Sequence, residues 1–440
     1  MVETNIARTS LDQFAAMARS VGGSDPEWLG NLRKRALDRF LELGFPTTRQ
    51  EAWRFTNVAA IARTGFTIGS LESDFDLALL ERGALEDAYR LVFVNGLVAP
   101  ALSESALPAG LELASLAASR DDEDVRKHLG QHADWTESSF AALNTALVHD
   151  GAFLRLAAGT RLQKPVNLVF ITTGNDGPIM ANVRNLIVAG ESSELHVVET
   201  YLTAGEAPNF TNVVTEVVVR RNATVEHASM QLESDQAFHV ATIQAQQDRD
   251  SHYQSRSFSI GAALARYDIN VTLAGEGSGC VLDGLYLARG RQHVDHHTLI
   301  DHATPHTDSQ EFYKGVLDGT SHGVFDGKIM VRKDAQKTNS GQVNRNLLLS
   351  ETAVIDTKPQ LEIYADDVKC THGSTIGQLD EQVLFYMRSR GIAVADAREL
   401  MIYAFASEVV QRVKIPALRK QLSELLLRRL PLELAGGVSE

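Results

Sequence analysis

The sequence has little of several things that would place a protein quickly. Two cysteines in 440 residues do not make the disulfide framework of a small secreted domain. Positive charge is short: 42 Lys and Arg stand against 56 Asp and Glu, a formal net charge of -14. A nucleic-acid partner requires a basic footprint, so that class is excluded. No run of about 18 apolar residues occurs, so no segment is expected to span a membrane. The opening residues, MVETNIARTS, lack the apolar stretch of a signal peptide, and Glu3 argues against a transit peptide. A cytoplasmic setting is the expectation. The phosphate-loop pattern G-x-x-x-x-G-K-[ST] is absent, so the chain is not expected to hydrolyse ATP by itself. Aromatics amount to 7%, yet the hydrophobic share of 44% is ordinary. A sizeable core must therefore be built from Val, Ala and Leu in thin, regular layers.

What is present changes along the chain. Asp25–Pro46 spells a punctuated helix: Asp25 can cap, Pro26 fits the first helical position, and Gly44 with Pro46 supplies the stop. Leu32, Ala36, Phe40 and Leu43 recur at helical spacing and make one buried face. The polar run PTTRQEAWRFTNV (Pro46–Val58) carries Trp53 and Phe55, as a segment that docks helices on a neighbouring layer would. A strand over Leu91–Val94 follows. A second helix is expected over Asp122–His149, with Val125, Leu129, Phe140, Leu143 and Leu147 along it.

From Ala152 to Cys370 the pattern becomes short alternating strands and small polar turns. VAGESSEL at Val188, VVRRNATV at Val218, AQQDRDSHY at Ala245 and LAGEGSGCVL at Leu273 recur at roughly 28-residue intervals. Strand, tight turn and strand, with no helical pattern between, predict a β-solenoid or a sandwich. In Glu194–Thr200, Leu195 and Val197 alternate with His196 and Val198, which suits coils with one face inward. The ends of a solenoid need covering, and helical segments at both termini could supply the caps.

Candidate chemistry lies late in this region. HVDHHTLIDHATPH (His293–His306) places His293, Asp295 and His297 on one strand face, with His302 and His306 beyond. A metal-dependent enzyme could be built from such a set, but no HExxH supplies two ligands and a base, and a hydrogen-bonding ladder reads the same. Asp366 and Asp367 are adjacent, so on a strand they point apart and make a poor acid/base couple. Cys280 sits in a Gly-Ser turn and is read as structural. The strongest element is Cys370-Thr371-His372, within Leu347–Gly377. In an extended segment residues i and i+2 share a face, so Cys370 and His372 point the same way. They are two metal-competent groups where closed structural sites usually take four, so other groups must complete any site.

Helices follow. Asp380–Arg390 ends at Gly391, a second starts from Asp396 and Glu399 as a capping box, and a third starts at Pro416. On the second, Met401, Phe405, Val409 and Val413 repeat every four positions, widened by Ile402, Tyr403 and Val410. The third carries Leu418, Leu422, Leu425, Leu426 and Leu430 opposite Arg419, Lys420, Arg428 and Arg429. These faces pack on the solenoid, and part of the wide stripe, with Met401, Phe405 and Val409, is a candidate partner-docking surface.

Taken together, KTNSGQVNRNLLLSETAVIDTKPQLEIYADDVKCTHGSTIGQLDEQVLFYMRSRGI (Lys337–Ile392) closely resembles the C-terminal core of the SufB/SufD family of iron–sulfur cluster assembly proteins. HHTLIDHATPHTDSQEFYKGVL (His296–Leu317) and PTTRQEAWRFTNV agree with it. The length, and the absence of a cysteine-rich segment near the N-terminus, favour the SufD branch over the SufB branch. The resemblance implies a mainly β fold, a right-handed parallel β-helix flanked by N- and C-terminal α-helical regions. The divisions expected are 1–150 (mainly helical), 151–377 (β-helix core) and 378–440 (helical, docking an ATPase). It implies a non-catalytic scaffold that pairs with a SufB-like paralogue. Each of the two binds one SufC-like ATPase, and a nascent iron–sulfur cluster forms at their interface. His372 matches the histidine of the family's Cys-x-His-Gly motif, which faces a SufB cysteine across that interface. Cys370 matches the motif's cysteine, and Thr371 stands where relatives commonly carry Ser. Thiolate and imidazole both suit iron–sulfur clusters. A reduced flavin is associated with the family's complex, and no segment here identifies a site for it. Unpaired β-helix edges find partners, so a homodimer mimicking the heterodimer is expected for the isolated chain.

Overall fold

The strand repeat closes into two parallel walls. The computed structural model describes residues 2–21, 23, 25–71, 75–174 and 177–429; Leu430 lies outside them. Strand accounts for 41% and helix for 25% of the chain, in a β-solenoid of about 7 turns with helices at both termini. Consecutive strands alternate between two ten-stranded sheets, so each coil gives one strand to each wall. The first wall runs through Ile179–Ala189, Asn209–Val219, Phe238–Gln247, Leu264–Leu273, His293–His302 and His322–Val331 to Val354–Ile363. The second runs through Glu194–Ala204, Thr224–Gln231, His252–Ser259, Gly279–Ala288, Asp308–Leu317 and Asn339–Leu348 to Lys369–Gly377. Neighbours within a wall are parallel and in register, for example Val217 beside Ala245 and Ala245 beside Val271. The solenoid starts upstream of residue 150, because Tyr89–Val94 pairs with Val166–Thr173.

The four recurring turns stack. Each contains a residue in the left-handed region: Ser192 (φ 59°), Asn222 (57°), Asp250 (57°) and Gly277 (76°). Ser, Asn, Asp and Gly tolerate or suit that conformation better than β-branched residues do. Backbone bonds tie one corner to the next, from Ser192 N–H to Arg221 O (2.9 Å), Asn222 N–H to Arg249 O (3.0 Å) and Asp250 N–H to Glu276 O (3.0 Å).

Both faces of the walls are buried, as is usual for parallel sheets. In Asn209–Val219, Val213, Val217 and Val219 face the lumen core, whereas Val214 and Val218 join an outer cluster with Phe14, Phe40 and Phe140. The N-terminal helices thus cover the outside of the first wall. The C-terminal helices cover the outside of the second, where Ile402, Val409, Val413, Leu418 and Leu422 meet Met230, Phe258, Leu285 and Val316. Helices expected as end caps are wall covers. Their apolar faces match the outward valines and leucines, and among the described residues no helix covers the C-terminal end of the lumen.

Several local expectations are corrected. The first punctuated helix spans Glu27–Leu43, with Pro26 rather than Asp25 at its cap. The Asp25 carboxylate instead pairs with Arg33 (2.5 Å) and Arg120 (3.0 Å). The helix expected over Asp122–His149 is two short ones, Glu123–His128 and Ser139–Ala146. Between them Gly130 turns at φ 73° and the loop folds its N–H groups of Gly130, His132 and Ala133 onto the buried Glu216 carboxylate at 2.8–3.0 Å. Glu216 also pairs with Arg184 at 2.6 Å. Near the other end, Val394–Val410 is capped by Ala393 without a side-chain bond, so Asp396 is an interior residue of the first turn. The docking segment does anchor on the first wall: Arg266 sits 3.7 Å over the Trp53 ring and donates to Ala52 O, and Thr56 Oγ1 donates to Asp295 at 2.5 Å.

Candidate functional site

The site begins where the repeat stops. Val354–Ile363 and Lys369–Gly377 are the last strands of their walls, and each is paired on one side only among the described residues. On the second wall, register aligns two lumen-facing columns. One is Cys280, Ser309, Ser340 and Cys370; the other is Leu282, Glu311, Gln342 and His372. All members but the last of each are buried. Cys370 is half-buried against the lumen core, and His372 is exposed because no further coil covers it. The shared face expected of the triplet is therefore the inner face of an unfinished coil.

Hydrogen bonds below this end hold the columns in place. Ser309 and Ser340 hydroxyls lie 2.7 Å apart, and His302 Nε2 is 2.9 Å from Ser309 Oγ. Gln342 Nε2 donates to Glu311 Oε2 at 2.5 Å. Burial pushes the Glu311 carboxyl up to about 7. Burial also raises the Cys370 thiol above its ordinary value. Cys280, wholly buried, is raised further, chiefly by burial and then by Glu311 and Asp283. A thiol so placed is inert, which suits the structural reading of Cys280.

The histidine run does not converge. His293, Asp295 and His297 do share the outer face, but Asp295 is enclosed by Arg266 (2.7 Å), Thr56 (2.5 Å) and His297 (3.1 Å). His296 points inward and stacks on Tyr267 at 5.1 Å, and His302 is buried between Thr307 and Ser309. His306 occupies a left-handed corner. Desolvation lowers His293 and His302 to about 4 and His296 to about 3. Among the described residues no group of three or more His, Cys, Asp or Glu could hold a metal ion. Asp366 and Asp367 lie in the bend between the last two strands rather than on a strand, and Asp367 is ion-paired with Lys337. The run GTSHG (Gly319–Gly323) has G-x-S-x-G spacing, yet Ser321 is buried in a corner between two strands, without the strand-to-helix turn that exposes a nucleophile.

The C-terminal docking stripe is redistributed. Val409 is fully buried in the second-wall cluster and is unavailable to a partner. Phe405 is half-covered and takes the Lys314 ammonium 4.1 Å from its ring centroid, while Met401 is partly exposed. Exposed apolar side chains include Phe385 (72%) and Tyr386 (57%) on Glu381–Ser389, Leu400 (51%) on the next helix and Leu427 (61%) on Pro416–Arg429. Among the described residues no helix is long and apolar enough to cross a membrane. A cleft of about 700 Å³ on the first coils is lined by Glu112, Asp124, Arg155, Glu191, Arg220 and Arg221, without an aromatic wall.

The chain matches two family models: the SUF system FeS cluster assembly SufBD core domain over residues 170–405, and the SufBD protein N-terminal region over residues 4–168. It is 36% identical to an iron–sulfur cluster assembly SufBD family protein of Synechocystis, covering 92% of each chain. It is 32% identical to the iron–sulfur cluster assembly protein SufD of Escherichia coli, over 90% of this chain and 92% of the relative. For SufD of Bacillus subtilis the identity is 30%, over 96% and 98%.

Proposed function

The chain belongs to the SufBD family of iron–sulfur cluster assembly proteins, and from that premise we propose that it is a non-catalytic scaffold subunit of SufD type. It pairs end to end with a SufB-like paralogue, and a nascent cluster assembles at the junction. The observation that carries the reading is the open last coil, with Cys370 and His372 side by side on its inner face. Thiolate and imidazole are ligands an iron–sulfur cluster accepts, and two of them leave the remaining positions to the partner. The exposed backbone edges of Val354–Ile363 and Lys369–Gly377 give that partner strands to lie against.

The chain's own residues bind and orient the cluster's iron; His372 is the principal ligand and Cys370 the second. A SufC-like ATPase docks on the C-terminal helical region through Phe385, Tyr386 and Leu400, with Met401 and Phe405 at the rim. ATP-driven closure of two such ATPases would pull on the helices and open the junction. The reduced flavin associated with the family's complex is assigned to no residue of this chain; the cleft on its first coils has no aromatic lining.

The test is reconstitution on the co-expressed complex. His372→Ala is expected to lose most of the bound iron and sulfide while the subunits still co-purify. Wild-type loading in that variant would refute the role of His372.

A further inference from the structure

The column beneath His372 contains a buried amide whose oxygen is unpaired among the described residues. Gln342 is 1% exposed. Its Nε2 donates down the column to Glu311, and its Oε1 has no partner among the described residues. A buried polar atom left bare costs about 1–3 kcal/mol. Glu311 Oε2 accepts from the amide nitrogen, which turns the amide oxygen away from it. Across the lumen Gly327 leaves room for it, since a Cβ there would stand 2.3 Å from Gln342 Nε2. The neighbour in register on the open side is His372, one strand spacing of about 4.8 Å away. The two side chains are not hydrogen-bonded in the structure, but His372 is exposed, and a turn of its ring about the side-chain bonds brings an N–H toward the unused acceptor.

We propose that Gln342, braced by Glu311, is the positioning residue for His372: its free carbonyl oxygen accepts one imidazole N–H and so fixes tautomer and ring plane. The other ring nitrogen is then left with its lone pair toward the open end. A histidine that binds a metal through one nitrogen almost always donates from the other to such a partner, and loss of that partner weakens metal binding about 10–100-fold. The purpose of the arrangement rests on His372 being an iron ligand; its existence does not.

The histidine-nitrogen NMR spectrum of the metal-free, full-length chain tests it, with His372 assigned by the signals lost in His372→Gln. With its ring neutral, His372 in the wild type is expected to hold one tautomer. Gln342→Met keeps the length and removes the amide, so the ring should relax to the mixed tautomers of a free imidazole. Glu311→Gln keeps an acceptor for Nε2 and should preserve the single tautomer. Mixed tautomers in the wild type overturn the proposal, as does an unchanged single tautomer in folded Gln342→Met. The wild-type spectrum decides even if Gln342→Met fails to fold. Cluster loading by His372→Ala is a separate readout, so either idea can fail without the other.

Discussion

Glu311 and the lumen histidines titrate in opposite senses. Burial raises Glu311 from 4.5 to about 7, so the folded chain holds that proton more tightly than the unfolded chain. Its contribution is present in full below about pH 4.5 and is lost as pH rises through about 7. His296 and His302 are lowered from 6.5 by burial, so the unfolded chain takes up their protons first and stability falls as pH drops below about 6.5. Glu311→Gln removes the first effect alone. Relative to wild type its unfolding free energy should rise between pH 5 and pH 8, by up to about 1.4 kcal/mol per pH unit between the two Glu311 values, with a matching rise in midpoint. Thermal unfolding of both proteins at the two pH values checks this, and a constant difference would mean that Glu311 is ionised in the fold. At this scale the sequence was partly legible. The shared face of Cys370 and His372 follows from strand alternation within three residues. The stacking of Gln342 under His372 does not, because it depends on coils whose strands begin unevenly at Gly279, Asp308, Asn339 and Lys369.

Among the elements, Val394–Val410 separates packing from docking. Val409→Asp places a charge in the fully buried cluster on the second wall, and should cost more than about 3 kcal/mol in denaturant unfolding. Phe385→Asp, on the exposed helix before it, should leave stability within about 0.5 kcal/mol. The same variant should sharply reduce capture of the SufC-like ATPase in co-purification. Undiminished capture would move the docking face elsewhere. The four-residue repeat marked the helix at Met401, Phe405 and Val409 but ran past its end at Val410 to Val413, and it did not show which part the wall covers. Ile402, Ala406 and Val410 widen the buried side, and no periodicity states how wide the facing surface is. The helix expected over Asp122–His149 failed for a related reason. Its apolar spacing is genuine at both ends, and the Glu216 carboxylate, far along the chain, claims the N–H groups in the middle.

For the whole molecule, the turn repeat from Val188 to Leu273 carried most of the architecture, since each of those turns proved to be a stacked corner. What it concealed was the closure. Apolar residues on both faces of strands such as Asn209–Val219 call for helices along the walls, and among the described residues none remains for the C-terminal end. Tyr364 (62% exposed) and Ile376 (51%) lie beside the two unpaired edges there. The isolated chain should therefore dimerise through this end, and Ile376→Lys should return it to a monomer in sedimentation equilibrium. A dimer unaffected by that change would place the contact on another surface.

A stack of like coils is cooperative along one direction only. Each inner coil is held by two neighbours and the last by one, so the free energy of local opening falls toward the end of the stack. Thermal fraying thus starts on the rung that carries Cys370 and His372. A partner that continues the sheet removes that fraying, and in doing so it removes disorder from the ligands themselves. If Cys370 and His372 ligate iron as proposed, iron capture and subunit capture strengthen each other through shared entropy, with no rearrangement of the coils below.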